Sequence, residues 1–281
     1  MTQLPVMTQP PVLAIERLSM LPIWLICLVV VVMLITGHEV GVRLRRRVGR
    51  EAERGESVEK IGGNYLGASL GLLALLVGFS FSMAIDRYTV QRSLVSEEAD
   101  AISTTWRRLE TLKEPDKTRL SQALLPYVEA REAFSSALTP GELRAAEART
   151  DNLQTVFWSE IVGSAGADSP SGRAVFDATN AMFNVAATRR AALESSIPRP
   201  ILSALLLYAI IAAGLMGYSH PVTRRFVLAS TIQFFLLSLA FGLILDLDRP
   251  RTGLVEVSQA PMFRAAAAIR AGTAAPPAFH R

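Results

Sequence analysis

Hydrophobic residues in this chain are concentrated in four runs that carry almost no charge. The clearest run is Tyr65 to Ile85, 21 residues with no charged side chain before Asp86. An α-helix rises about 1.5 Å per residue, so this run is long enough to cross a hydrocarbon core of roughly 30 Å. The other three runs cover residues 18–37, 201–217 and 226–245. The pattern predicts four transmembrane helices.

The stretch between the second and third apolar runs, residues 86–200, is polar and has a helical period. Apolar residues recur at helical spacing, as at Val95, Ile102 and Leu109. Thr139 precedes Glu142 by three residues, with proline at the first helical position, which is the pattern of a capped helix start. We therefore predict a soluble four-helix bundle inserted between spans 2 and 3. The predicted fold class is all-α, a polytopic membrane protein.

The remaining segments are predicted to be tails and a loop. Residues 1–17 are interpreted as a flexible tail, 38–64 as a basic loop and 246–281 as a C-terminal tail, in which a short helix is expected after Pro261. The loop holds seven basic residues: Arg43, Arg45, Arg46, Arg47, Arg50, Arg54 and Lys60. Short cytoplasmic loops are enriched in Lys and Arg, whereas long domains cross the membrane largely regardless of charge. We therefore expect the loop in the cytoplasm, and the bundle and both termini outside it.

Glycines form a stripe along one face of the second span. Gly63, Gly67 and Gly71 are spaced by four residues, and Gly78 continues the same face. Small residues at this spacing let another helix backbone approach closely. The alternative is chance, because glycine is common in membrane helices. We favour a helix-packing face.

Charged residues gather where the predicted spans meet the side of the bundle. They are Asp86, Arg87, Arg199, Asp246, Asp248 and Arg249. Charges near a bilayer tend to pair or to face a water-filled cavity. One interpretation is a collar of interfacial salt bridges, and the other is the mouth of an ion pathway. We favour the collar, with Arg87 near Asp246 or Asp248.

Two further charges fall on the inward faces of consecutive bundle helices. At 100° per residue, Glu98 lies beside the apolar stripe that contains Val95, and Arg131 lies between Tyr127 and Phe134. The two charges stand at nearly the same height on the predicted hairpin. A buried charge without a partner is costly, which favours a Glu98–Arg131 salt bridge. The alternative is that the long stem of Arg131 carries its charge to water.

Composition argues against several classes of function. The net charge is +4, and the basic residues outside the loop form no patch of the kind that binds nucleic acid. Cys27 is the single cysteine, and the three histidines are too far apart in sequence for metal-ligand spacing. No phosphate-loop, nucleophile-elbow or zinc-protease motif occurs. We expect no catalytic, cofactor-binding or metal-ligating residue, and no enzyme activity.

Two stretches resemble the signatures of a known family. They are GLLALLVGFSFSMAIDRYTVQRSLVSEEADAI, Gly71 to Ile102, and LILDLDRPRTGLVEVSQAPM, Leu243 to Met262. Both are similar to signatures of the bacterial bestrophin-like domain family, and the resemblance covers roughly residues 20 to 265. It implies four inner-membrane helices around a helical insertion, and kinship with bestrophins, which are pentameric anion channels. Bestrophins keep their central helices in the cytoplasm, opposite to the orientation that the arginine loop predicts.

Two functional classes remain open. One is a homo-oligomeric ion channel or transporter in the lipid bilayer, which the resemblance and the small-residue faces favour. The other is a membrane-anchored sensor or scaffold whose extracytoplasmic bundle binds a ligand or a protein. The resemblance transfers no pore or calcium-site residue to this chain.

Overall fold

A computed structural model describes residues 22–48, 56–164, 169–219, 224–249, 251 and 253–274. All regular structure in this part of the chain is helical, and it contains no strand. The helices are α1 (Ile23–Val48), α2 (Glu56–Leu109), α3 (Asp116–Ser136), α4 (Pro140–Val162), α5 (Pro170–Glu194), α6 (Arg199–Ser219), α7 (Arg224–Leu247) and α8 (Ala260–Ala274). The predicted all-helical class is confirmed. The predicted tail at 1–17 lies outside the described residues.

The chain divides into two compact units. The first unit contains α1, the part of α2 up to Arg87, α6, α7 and the short segment Gly253–Val255. The second unit contains α2 from Tyr88 onward, α3, α4, α5, α8 and Arg251.

Four stretches of helix are long and apolar enough to cross a membrane. They are Ile23–Arg47, Tyr65–Leu109, Pro170–Ser219 and Phe226–Leu247, and the third of these contains both α5 and α6, which residues 195–198 separate. Each overlaps one of the four apolar runs in the sequence. The four candidate spans expected from hydrophobicity are therefore present as helices.

Helix α1 extends well beyond the apolar run that defines it. It continues through Val48, so Arg43, Arg45, Arg46 and Arg47 lie on a helix rather than in an irregular loop. No proline interrupts this stretch, and arginine is a good helix former, so the helix has no reason to end at the last apolar residue. Residues 49–55 of the predicted loop lie outside the described residues.

Helices α1 and α6 approach each other closely in the first unit, and glycines permit it. A Cβ atom added to Gly37 would lie 2.8 Å from the carbonyl oxygen of Ile210. A Cβ on Gly41 would collide with the backbone of Gly214, and one on Gly217 with the backbone of His38. Because the obstructing atoms are backbone, they cannot move aside as a side-chain tip could. Glycine is therefore required for this packing.

The glycine stripe predicted on α2 differs from the glycines between α1 and α6, because its surroundings are open. A Cβ added to Gly67, Gly71 or Gly78 would meet no described atom within 4 Å. No helix of the described chain packs against this face, so these glycines do not bring two helices together within the described chain. Contact with another subunit remains a prediction. Gly63 lies in α2, but its surroundings fall outside the described residues.

Helices α1 and α7 are joined by a reciprocal pair of polar contacts. The Ser238 hydroxyl donates to the carbonyl of Cys27 at 2.7 Å, and the Cys27 thiol donates to the carbonyl of Ser238 at 3.6 Å. Ser238 is buried, and side chains that bond across helices in an apolar setting help to hold them together. Gly242, one turn further along α7, packs against the Cys27 sulfur.

The second unit has an apolar core built from all of its helices. Its buried members are Ile102, Leu109, Leu120, Leu124, Tyr127, Val128, Phe157, Ile161, Val175, Met182, Met262, Ala266 and Ile269. The capping box at the start of α4 is confirmed. Thr139 Oγ1 accepts from the Glu142 amide at 3.2 Å, and Glu142 Oε2 accepts from the Thr139 amide at 3.1 Å.

The C-terminal segment is a free tail only in part. The short helix that the sequence predicts after Pro261 is present as α8, and it buries Met262, Ala266 and Ile269 in the core. These residues recur at intervals of three and four, which places them on one face of a helix. The second unit therefore has five helical components rather than four.

Candidate functional site

Glu98 is a fully buried carboxylate on α2, and two arginines bind it. Its side chain is 0% exposed, whereas its sequence neighbour Glu97 faces solvent. Arg131 Nε on α3 donates to Glu98 Oε1, and Arg189 Nη1 on α5 donates to Glu98 Oε2 at 2.6 Å. Both arginines are also buried, at 2% and 3% exposure. The structure thus brings together the predicted pair and adds a third charge.

Arg189 also forms hydrogen bonds with two further side chains, those of Ser135 and Gln259. Its Nη1 and Nη2 atoms each lie 3.2 Å from the hydroxyl of Ser135, and Nη2 also donates to Gln259 Oε1. Gln259 immediately precedes α8, and its own amide nitrogen donates to the Val257 carbonyl at 2.9 Å. Side chains from three separate segments, those that carry Glu98, Ser135 and Gln259, therefore converge on this guanidinium. Its geometry is fixed by hydrogen bonds as well as by charge.

Three guanidinium groups surround the ring of Phe134. The Cζ atoms of Arg131, Arg251 and Arg189 lie 4.1, 4.8 and 5.2 Å from the ring centroid. Cations within about 6 Å of an aromatic face are attracted by its negative charge density, most strongly where water is excluded. We call Glu98, Arg131, Arg189 and Arg251 the arginine cluster.

Arg251 is the member of the arginine cluster that has no carboxylate partner among the described residues. Its Nη1 atom donates to the carbonyls of Phe134 and Ala137, both at 2.8 Å. Burial, with the positive charges of Arg189 and Arg131, lowers the pKa of Arg251 to about 10. Burial acts in the same direction on Arg131, but the charge and the hydrogen bond of Glu98, with the charges of Tyr127 and Glu147, together outweigh it and raise the pKa of Arg131 above its usual value.

A small cleft lies beside the arginine cluster within the second unit. Its lining includes the polar side chains of Gln91, Arg189, Arg251 and Gln259, with Val95 and Val257 among the apolar ones. The cleft has room for about one water molecule. It is too small for a drug-sized or nucleotide-sized ligand.

The predicted collar is only partly assembled. Arg87 Nε lies 3.0 Å from Asp248 Oδ1, and the same oxygen accepts the Ile197 amide at 3.2 Å. Burial raises the pKa of Asp248 although the Ile197 amide and Arg87 oppose it. Burial likewise lowers the pKa of Arg249 despite the nearby charges of Asp246 and Asp248.

Asp246 has a structural role that the collar hypothesis did not include. It is 1% exposed, and its two oxygens accept the backbone amides of Leu254 and Val255 at 2.7 and 2.9 Å. This carboxylate therefore stabilises the turn after α7. Asp86 and Arg199 are both exposed.

Other chemistries find little support in the described residues. Within them, no group of three or more His, Cys, Asp and Glu side chains lies close enough together to hold a metal ion. His38 on α1 is buried between the rings of Phe226 and Phe234, with centroid distances of 6.4 and 5.7 Å. It packs as an aromatic residue in an apolar setting.

Sequence reasoning found Glu98 and Arg131 but missed Arg189, Arg251 and Gln259. A signal for Arg189 existed, because it follows the inward residues Met182 and Ala186 by seven and three positions. No periodic signal marks Arg251 or Gln259, which lie outside the helices, although both fall within the second family signature, Leu243 to Met262.

The family profile of the Bestrophin-like domain matches residues 26–262, so the chain belongs to this family. Among solved structures, a bestrophin homologue from Klebsiella pneumoniae has a TM-score of 0.66 at 15% identity, covering 91% of this chain and 100% of that one. A point variant of that homologue matches with a TM-score of 0.65 at 13% identity, covering 88% and 98%. These identities are low, so the likeness to them is one of fold. No curated protein matches the chain.

Proposed function

We propose that this protein is an oligomeric ion channel or transporter of the membrane. The observation that carries the proposal is the match of the Bestrophin-like family profile over residues 26–262. The four apolar helical stretches supply a membrane-embedded part. The proposed role is passage of ions rather than catalysis.

An oligomer is supported by the outer face of α2. Leu72, Leu75 and Phe79 are 46%, 52% and 64% exposed, and no described atom approaches Gly67 or Gly71. Large exposed apolar surfaces are covered in a membrane protein by lipid or by another subunit. We propose that a second copy of the chain covers part of this face.

Conductance in planar bilayers tests the proposal. Purified full-length protein should give discrete currents, and a salt gradient should shift the reversal potential according to ion selectivity. Heat-unfolded protein from the same preparation is the control. Absence of current from protein that is folded and oligomeric by light scattering would contradict the proposal.

The alternative function is a membrane-anchored sensor or scaffold. The arginine cluster and its cleft favour it, because buried ionisable groups beside a cleft are common at binding sites. Folded protein that conducts no ions but binds a small ligand in the second unit would support this alternative.

We further propose an orientation in the inner bacterial membrane, with the second unit and both termini outside the cytoplasm. The argument is the arginine content of the loop after α1. Alkaline phosphatase fused after Gly163 should be active, and the same reporter fused after Arg54 should be inactive. The reverse pattern would place the second unit in the cytoplasm, as the kinship with bestrophins implies.

A further inference from the structure

The arginine cluster has more positive charge than the described side chains around it can neutralise. Three guanidinium groups face a single carboxylate, and both oxygens of Glu98 are already bound by Arg131 and Arg189. Arg251 reaches only carbonyl oxygens through Nη1, and its buried Nη2 atom has no hydrogen-bond partner in the described structure. A buried N–H without a partner costs free energy, and a charged one costs more.

The nearest additional carboxylate does not remove this excess. Glu147 acts on Arg251 and Arg131 through its charge, but it forms a salt bridge with Arg190 at 3.5 Å. Its side chain is 13% exposed, so its charge is partly screened by water. At neutral pH Arg251 stays protonated even with its lowered pKa.

The excess positive charge of the arginine cluster lies beside the small cleft described above. Arg189 and Arg251 both line the cleft, and the side-chain amides of Gln91 and Gln259 line it with them. The room available matches a single water molecule, which is close to the size of a monatomic anion. A phosphate or a carboxylate metabolite would need the surrounding side chains to move.

We propose that this cleft is a binding site for a small monovalent anion such as chloride. Arg251 and Arg189, which both line the cleft, supply the positive charge that attracts the anion. The bound anion offsets part of the excess charge and fixes the segment that carries Arg251 against α3. This inference goes beyond the proposed function, because it concerns the second unit and requires no ion conduction.

Anion-dependent melting of the full-length protein in detergent tests the site. Sodium chloride is titrated against sodium gluconate at constant ionic strength. The Tm should rise with chloride and then saturate, because a ligand that binds only the folded state stabilises it by mass action. Bromide should replace chloride, and sulfate should not.

Variants separate the cleft from general salt effects. Arg251→Met should lose the chloride-dependent rise in Tm. Arg149→Gln should keep it, because Arg149 is exposed and its salt bridge among the described residues is with Glu129 at 3.7 Å. If Arg251→Met does not fold, line broadening of the ³⁵Cl NMR signal by wild-type protein is compared with that by Arg251→Lys, which should be smaller. A Tm that is the same in chloride and gluconate, or ³⁵Cl broadening that is the same in wild type and Arg251→Lys, overturns the site.

The readouts are independent of transport. A protein that fails to conduct in planar bilayers but shows a saturable, Arg251-dependent response to chloride would retain the site and lose the proposed channel function. Conduction without that response would retain the proposed channel function and overturn the site.

Discussion

The two units of this chain bury backbone and charge in different ways. In the first unit α1 and α6 approach so closely that Gly41 and Gly214 touch through their backbones, with no space for a side chain. In the second unit the interior holds a carboxylate and two arginines, each almost inaccessible to water. The first unit is therefore sensitive to added atoms, and the second is sensitive to removed charge.

This difference is consistent with the surroundings proposed for each unit, lipid around the first and water around the second. Helices in lipid gain little from the hydrophobic effect, so close packing between small residues holds them together. Helices in water bury apolar area, and an ion pair inside such a core adds specificity more than net stability. Substitutions that add atoms to the first unit or remove charge from the second test this comparison.

Glu98→Gln should have the largest effect. It leaves Arg131 and Arg189 buried without their carboxylate, which should cost roughly 3–5 kcal/mol. The measurement is thermal melting of purified protein followed by circular dichroism. Glu97→Gln is the matched control, since Glu97 is exposed one position away, and its Tm should stay near wild type. Equal melting of the two variants would contradict a buried ionic core.

Gly41→Ala should have the next largest effect. The new methyl group would collide with the backbone of Gly214, and overpacking of this kind costs about 1–3 kcal/mol. Gly71→Ala adds the same methyl group where no described atom lies within 4 Å. Its melting should be unchanged or slightly higher, because alanine favours helix by about 1 kcal/mol over glycine. If Gly71→Ala is the more damaging variant, the assignment of the two glycine faces is wrong.

A double-mutant cycle of Glu98→Gln and Arg131→Met should reveal direct coupling. Residues in one salt-bridge network typically show interaction energies of about 0.5–3 kcal/mol. The double variant should therefore melt higher than the sum of the two single effects predicts. Strict additivity would mean that Arg189 alone accounts for the dependence on Glu98.

Gly67→Leu and Gly71→Leu should have the smallest effect on the fold. Helix content should be unchanged because this face is open in the single chain. Native mass spectrometry should show a shift toward smaller oligomers if a second copy packs there. An unchanged distribution in both variants would indicate that lipid covers the face.

Much of the fold could be predicted because local signals determine it. Four apolar runs marked the candidate spans, and Thr139 with Glu142 marked the start of α4. The Glu98–Arg131 proximity followed from helical periodicity and a short connection between consecutive helices. These inferences use residues that are near each other in the sequence.

Sequence patterns could not predict packing that depends on distant segments. Spacing alone marked Gly67 and Gly71 as a packing face, while Gly37 and Gly41 have the same spacing at the end of an apolar run. Only the structure shows which pair meets another backbone. Arg251 and Gln259 likewise reach the arginine cluster from beyond the last span, where no periodic pattern pointed inward.

The position of α8 in the core constrains how this protein is made. Residues 88–195 leave the ribosome well before α8, yet Met262, Ala266 and Ile269 belong to the same core. Domains generally fold as units, and contacts between distant residues form slowly. The complete core of the second unit therefore cannot form before α8 has been synthesised. Its folding waits until α6, α7 and then α8 have been translated, and until then part of its apolar interior is open to chaperones and proteases.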